Sequence, residues 1–374
     1  MNQLHHLIAD KIRSAGGRIT FAEYMAEALY HPMLGYYNRP EMTIGEQGDF
    51  FTSPMVHPVF GHCVGRQIYQ LWLEMGSPSS FTLLEMGAGT GALARDLLQE
   101  WDRLQANEPA ANSGPVALRY VIVEQSPVLR GRQRETASET GKGRIEWHAT
   151  LQEVPGYGSL EGVILSNELF DALPYHRLVM DKGRLLERYV TLEEDGSFAE
   201  VTAPLSDERL PLLLDEQIRE GLEEGDRLVL SPAAGKVIRE MADALNKGYV
   251  LTIDYGNLSP DVHWQSARSG GIRCYYKQTL NHDPYTRVGE QDITADVDFS
   301  YLQREGGQVG LETVRFSTQS DFLENFGFLD KVTDLQRMAF RDLRADFELQ
   351  KMLTLYLPQG LGDACKVLMQ SKGA

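Results

Sequence analysis

The hydrophobic pattern changes rhythm along the chain. At the start, Leu4, Ile8 and Ile12 recur every fourth residue, and Thr20 with Glu23 has capping-box spacing ahead of Tyr24, Met25, Ala28 and Leu29. This predicts two helices, the second stopped at His31-Pro32. Over 35–58, Gly, Pro, Asp, Thr and Ser break every period, which reads as a long ordered loop of the kind that carries function. A further helix is predicted over 59–75, completing an N-terminal helical cap and loop at 1–78.

Beyond Gly76-Ser77-Pro78 the rhythm becomes one of strands alternating with helices. Short runs that are apolar throughout occur at 81–86, 120–124, 145–148, 162–166 and 249–254. Between the first two, Leu93, Leu97, Leu98, Trp101 and Leu104 have helical spacing, and a helix is predicted over 234–245. Strands without polar alternation, separated by helices, indicate a parallel sheet covered on both faces. The fold class expected is a doubly wound, Rossmann-like α/β domain over 79–374. Insertions fall near 177–226, with a hairpin turning at Asp195-Gly196, and near 257–308, where no clean period is visible. The chain end reads as a last helix and a closing strand pair.

The most informative segment is Leu83-Leu84-Glu85-Met86-Gly87-Ala88-Gly89-Thr90-Gly91, between a strand and a helix. Three glycines let the chain turn sharply and bring a ligand against the backbone at the carboxyl ends of the strands. The dinucleotide fingerprint is Gly-x-Gly-x-x-Gly. Here the spacing is Gly-x-Gly-x-Gly, and Glu85 would repel a pyrophosphate. A cofactor with a cationic centre and a free amino group fits better. S-adenosyl-L-methionine carries both, and Glu124, ending the next strand, supplies an acceptor for its ribose hydroxyls. Alternatives stand beside these roles: Glu124 as a cap of the next helix, Gly91 as a helix-to-sheet packing residue, and Trp147 as core or adenine stack. The stretch 107–115, read as a surface loop, accounts for the long spacing between the glycines and Glu124.

After the fourth strand, Asn167, Glu168 and Asp171 bring an amide and two carboxylates to the edge where a methyl acceptor must approach. Methyl transfer is an in-line displacement, so alignment and charge placement matter more than a strong base. For a guanidinium acceptor, carboxylates can hold the planar fork bidentately. Glu168 is the first candidate for that role and Asp171 the second. Asn167 and Asp171 could instead cap the following turn. Asp254-Tyr255-Gly256 lies on the same edge.

Charge and cysteine content narrow the partners. With 36 Lys plus Arg against 53 Asp plus Glu, the formal net charge is −17. Such a surface repels phosphate backbones and carries no basic cluster, which argues against nucleic acid. Cys63, Cys274 and Cys365 give neither a disulfide framework nor a zinc spacing, and no metal site is expected. The first thirty residues resemble neither a secretory signal nor an acid-poor transit peptide, and no apolar stretch is long enough for a membrane span. A cytoplasmic location is therefore expected.

The residues resemble the MidA family, a branch of class I S-adenosylmethionine-dependent methyltransferases that includes the mitochondrial complex I assembly factor. The resemblance rests on Gly48-Asp49-Phe50-Phe51-Thr52-Ser53-Pro54, the stretches 85–91 and 167–174, Asp254-Tyr255-Gly256, and the stretch 289–299. It implies symmetric dimethylation of an arginine on a respiratory complex I subunit. It also implies that the early loop folds over the cofactor, with Thr52, Ser53 and Asp49 as contacts, although Asp49 could equally stabilise a turn. The expected function is S-adenosylmethionine-dependent methylation of a protein arginine. Alternatives are a cofactor-binding assembly factor without catalysis and a small-molecule methyltransferase. Oligomeric state is open, a homodimer included.

Overall fold

The computed structural model describes residues 1–40, 48–49, 51–107, 116, 118–138, 140–141, 143–339 and 342–374. Most of the surface loop expected at 107–115, and 41–47 and Phe50 of the early loop, lie outside the described residues. The chain forms two compact units. One comprises Met1–Phe50, Phe170–Ile238 and Tyr255–Glu305, the other Phe51–Leu169, Arg239–Asp254 and Gly306–Ala374.

The second unit is built on a mixed sheet. Its strands are β1 (Thr82–Met86), β2 (Arg119–Val123), β3 (Ile145–His148), β4 (Leu160–Asn167), β5 (Leu245–Asn257), β6 (Glu312–Thr318) and β7 (Cys365–Lys372). Their spatial order is β3-β2-β1-β4-β5-β7-β6. β1 to β5 run parallel, and β6 and β7 are antiparallel. Leu83, Leu84, Tyr120, Val121 and Ile122 are buried, which explains why these strands show no polar alternation. Because β1 has β2 on one side and β4 on the other, the order of winding reverses there, and the carboxyl ends of β1 and β4 flank a crevice.

Helices α1 (Val59–Glu74), α2 (Ala92–Asn107) and α3 (Pro127–Thr136) belong to the same unit. Close approach of α1 and α2 requires Gly61 and Gly65, where an added Cβ would lie 2.6 and 3.1 Å from the Cβ atoms of Asp96 and Glu100. Trp72, Phe81 and Trp101 fill the core beside them, with the rings of Phe81 and Trp101 stacked at 5.9 Å. Between β6 and β7 lie three helices, Gln319–Asn325, Phe328–Ala339 and Leu343–Tyr356, rather than the single one expected.

The first unit holds the two N-terminal helices, Gln3–Ser14 and Phe21–Tyr30. The expected capping box is present, since Thr20 Oγ1 accepts from the Glu23 amide and Glu23 Oε2 accepts from the Thr20 amide. An antiparallel five-stranded sheet includes the hairpin Arg184–Leu192 and Phe198–Ala203. The stretch 257–308 contains the helix Asp261–Ser269 and a small sheet of Arg273–Tyr276, Thr279–Asn281 and Asp292–Thr294. Strands of three or four residues are too short to display a period of two. Among the described residues, no helix is long and apolar enough to cross a membrane.

Candidate active site

The glycine turn follows β1 directly. Gly87, Gly89 and Gly91 have φ of +69°, +51° and +82°, all in the left-handed region. The three differ in what surrounds them. A Cβ at Gly87 would meet Leu169 Cδ1 at 2.9 Å and one at Gly91 would meet Gln133 Cα at 3.1 Å, whereas nothing lies within 4 Å of one at Gly89. Gly87 and Gly91 are thus confined by the fold, and Gly89 faces open space that a ligand can enter. The alternative of Gly91 as a packing residue agrees with its contact.

Two carboxylates lie behind the turn. Glu85 is 2% exposed and accepts a hydrogen bond of 2.6 Å from Tyr120 Oη. Burial pushes its carboxyl up to about 7; the Tyr120 hydrogen bond works against the rise and the negative charge of Glu124 adds to it. Glu124 is also buried, which raises its carboxyl above the ordinary range. Glu124 Oε1 accepts from the Ser126 amide at 2.8 Å and Oε2 from Gln133 Nε2 at 3.2 Å. Capping of α3 itself falls to Ser126, whose hydroxyl accepts from the Leu129 amide. Trp147, half-buried at the end of β3, donates its indole N–H to Gln133 Oε1, and the Arg134 guanidinium lies over its ring at 5.0 Å.

At the end of β4 the structure brings Asn167, Glu168 and Ser53 together. Asn167 Nδ2 donates to Glu168 Oε1 at 3.2 Å, and the Ser53 amide donates to the same oxygen at 2.9 Å. Asn167 is 9% exposed, yet its Oδ1 accepts no hydrogen bond. Glu168 has φ of +52°, uncommon for a residue with a side chain. It is held there by its own amide donating to Ile253 O and by the Leu169 amide donating to Asp254 Oδ2. Backbone held in a costly conformation at a sheet edge points to a functional constraint. Thr52 precedes the short helix Ser53–Val56 and makes no side-chain cap. Ser53 Oγ donates to Gln319 Oε1.

Asp171 falls in the first unit, where it is buried and its carbonyl accepts from the Ala295 amide. Asp49 is there too, and its carboxylate accepts from Tyr36 Oη at 3.0 Å and from the Lys277 amide at 2.7 Å. Those bonds match the turn-stabilising alternative for Asp49. Sequence reasoning passed over Tyr120 and Gln133. A signal for Gln133 exists: Leu129, Gln133 and Ala137 form a buried stripe at four-residue spacing, so a glutamine stands where an apolar residue is expected.

A reversed-winding α/β sheet, a glycine turn open at its middle residue and a carboxylate, Glu85, behind that turn where it would repel a pyrophosphate define a class I methyltransferase. The chain belongs to a family of S-adenosyl-L-methionine-dependent methyltransferases, whose model matches residues 63–317. It is 31% identical to the mitochondrial protein arginine methyltransferase NDUFAF7 of Rattus norvegicus, over 96% of this chain and 82% of that protein. Against the Homo sapiens protein of the same name the identity is 30%, over 87% of this chain and 73% of the other. A crystal structure from Burkholderia thailandensis bound to S-adenosyl-homocysteine matches with a TM-score of 0.85 at 30% identity, covering 99% of this chain and 92% of that one. As a family member the chain uses S-adenosyl-L-methionine. The residues present fit it, with Gly89 open and two carboxylates behind the turn. The cytoplasmic location expected from the sequence is corrected by the NDUFAF7 relatives, whose names give them as mitochondrial.

Proposed function

We propose that the protein methylates an arginine side chain of a protein client. The observation that carries this reading is the acceptor edge at the end of β4. There Asn167 presents a buried, unpartnered oxygen beside the Glu168 carboxylate, one strand away from the glycine turn. A guanidinium supplies several N–H donors in a plane and a positive charge, which is what an amide oxygen and a carboxylate together take up. The names of the curated relatives support the same acceptor. The family resemblance supports a respiratory complex I subunit as the client.

When bound, S-adenosyl-L-methionine supplies an electrophilic methyl group. Gly89 would let it approach the backbone of a turn whose tight packing Gly87 and Gly91 allow, Glu124 would accept from its ribose hydroxyls, and Glu85 would provide negative charge for its cationic groups. Thr52 and Ser53 close over it from the early loop. Asn167 orients the acceptor nitrogen, and Glu168 holds the guanidinium fork and takes the proton that the nitrogen loses. The test is a labelled-methyl assay on arginine-containing client peptides, read with and without Arg→Lys replacement in the peptide. Label retained after the replacement would refute arginine as the acceptor.

A further inference from the structure

We propose that Gln133 is a positioning residue of the cofactor site, a side chain that ties the glycine turn, Glu124 and Trp147 into one arrangement. This inference rests on the cofactor assignment above and adds a residue to it.

Gln133 sits in the last turns of α3 with no exposed surface. Its Nε2 donates to the carbonyl of Gly89 at 3.0 Å and to Glu124 Oε2 at 3.2 Å, while its Oε1 accepts from Trp147 Nε1 at 3.2 Å. Two acceptors lie on one side of the amide and one donor on the other, so the amide orientation is determined without ambiguity. Of the twenty side chains, only a glutamine has this reach and this pairing of two N–H donors with one acceptor. Glutamate would set a second carboxylate against Glu124 and a carbonyl. Methionine would fill the space and leave the Gly89 carbonyl, the carboxylate and the indole N–H without their partner.

The backbone adds a constraint. Gly91, at the end of the turn, packs against the Cα of Gln133, where an added Cβ would lie at 3.1 Å. The helix position that carries the amide therefore also bounds the turn. Burial raises the Glu124 carboxyl, and the hydrogen bonds from the Ser126 amide and from Gln133 oppose that rise.

The experiment uses the full chain, with S-adenosyl-homocysteine as the probe and the variants Gln133→Met and Gln133→Glu. Calorimetry is expected to find dissociation constants raised about 10-fold or more in both, given hydrogen bonds to a charged group. Thermal unfolding without ligand reports whether each variant folds. The distinguishing readout is the Trp147 indole N–H resonance, assigned through Trp147→Phe. It is expected to shift on ligand addition in the parent and to lose that response in Gln133→Met. Parent-like affinity in both variants, or an unaltered indole response, would overturn the proposal. If only one variant folds, that variant decides by the same two measurements. Failure of the parent protein to bind S-adenosyl-homocysteine would instead remove the cofactor assignment, so the two failures are distinguishable.

Discussion

Two edges of the same sheet differ in how completely their polar atoms are satisfied. On the β1–β2–β3 side, both oxygens of Glu124 and both polar atoms of Gln133 have partners, as does the indole of Trp147. On the β4–β5 side, Asn167 Oδ1, Ser166 Oγ and Thr252 Oγ1 are buried and unpartnered, and Ser166 lies directly opposite Thr252 across the strands. Unmet buried acceptors are costly, each by about 1–3 kcal/mol. The glycine-turn side is thus fully bonded, whereas the β4 end keeps hydrogen-bonding capacity, the contrast on which the proposed division into cofactor and acceptor sides rests.

The largest effect expected is at the acceptor edge. Glu168→Gln removes the charge that pairs with the guanidinium, and methyl transfer should fall by about 100-fold or more, the range for loss of a group acting in the transition state. Affinity for S-adenosyl-homocysteine should stay within a few-fold of the parent. Full activity in the labelled-methyl assay would remove Glu168 from the reaction. At the cofactor edge, Glu124→Ala should reverse the pattern, weakening the ligand by about 10- to 100-fold through loss of charged hydrogen bonds, with calorimetry as the measurement. An unchanged dissociation constant would dissolve the contrast between the edges.

A pair of glycine substitutions sharpens the comparison within the turn. Gly91→Ala meets both a left-handed φ of +82° and the Gln133 backbone at 3.1 Å, and should cost about 2 kcal/mol of unfolding free energy. Gly89→Ala meets open space, so its cost without ligand should be the conformational one alone, about 1 kcal/mol. The loss from Gly89→Ala should appear mainly in ligand affinity. Equal melting temperatures for the two variants would contradict this division.

The smallest effect concerns pH. Glu85 has its carboxyl raised from the ordinary 4.5 to about 7. As pH rises through that window the unfolded chain ionises first, so the unliganded protein loses stability between about 4.5 and 7. A cationic ligand favours the ionised form, so affinity for S-adenosyl-L-methionine should tighten as pH rises through about 7, with proton release on binding. Tyr120→Phe removes a hydrogen bond that lowers the Glu85 value and should move the midpoint upward. Calorimetry in buffers of different ionisation enthalpy measures both quantities, and a midpoint unmoved by Tyr120→Phe would sever Tyr120 from Glu85.

The five parallel strands, the helix after the glycine turn and the capping box at Thr20 and Glu23 were legible because each is written in local periodicity or spacing. The placement of Glu85, Glu124 and the three glycines at one edge was legible for a related reason: chain topology sends every parallel strand to the same edge, so residues at strand ends meet wherever they stand in the sequence. Tyr120 and Gln133 were not read, because their roles depend on which side chains come opposite them across β1–β2 and from α3. The stretch 257–308 stayed opaque, since a three-residue strand and its neighbour carry too few positions for a pattern.

By itself, the sequence determined the class of sheet, the strand ends that carry the glycine turn and its carboxylates, and the sign of charge there, all of which follow from burial and from side-chain chemistry. The tertiary structure alone decided that Asp171 and Asp49 belong to a unit assembled from three separate stretches, that Asp49 is engaged by a turn, and that Gln133 bonds both the Gly89 carbonyl and Glu124. Those outcomes depend on contacts between residues far apart in the chain. Hydrogen bonding is decided within a few tenths of an ångström, a precision that packing supplies and periodicity does not.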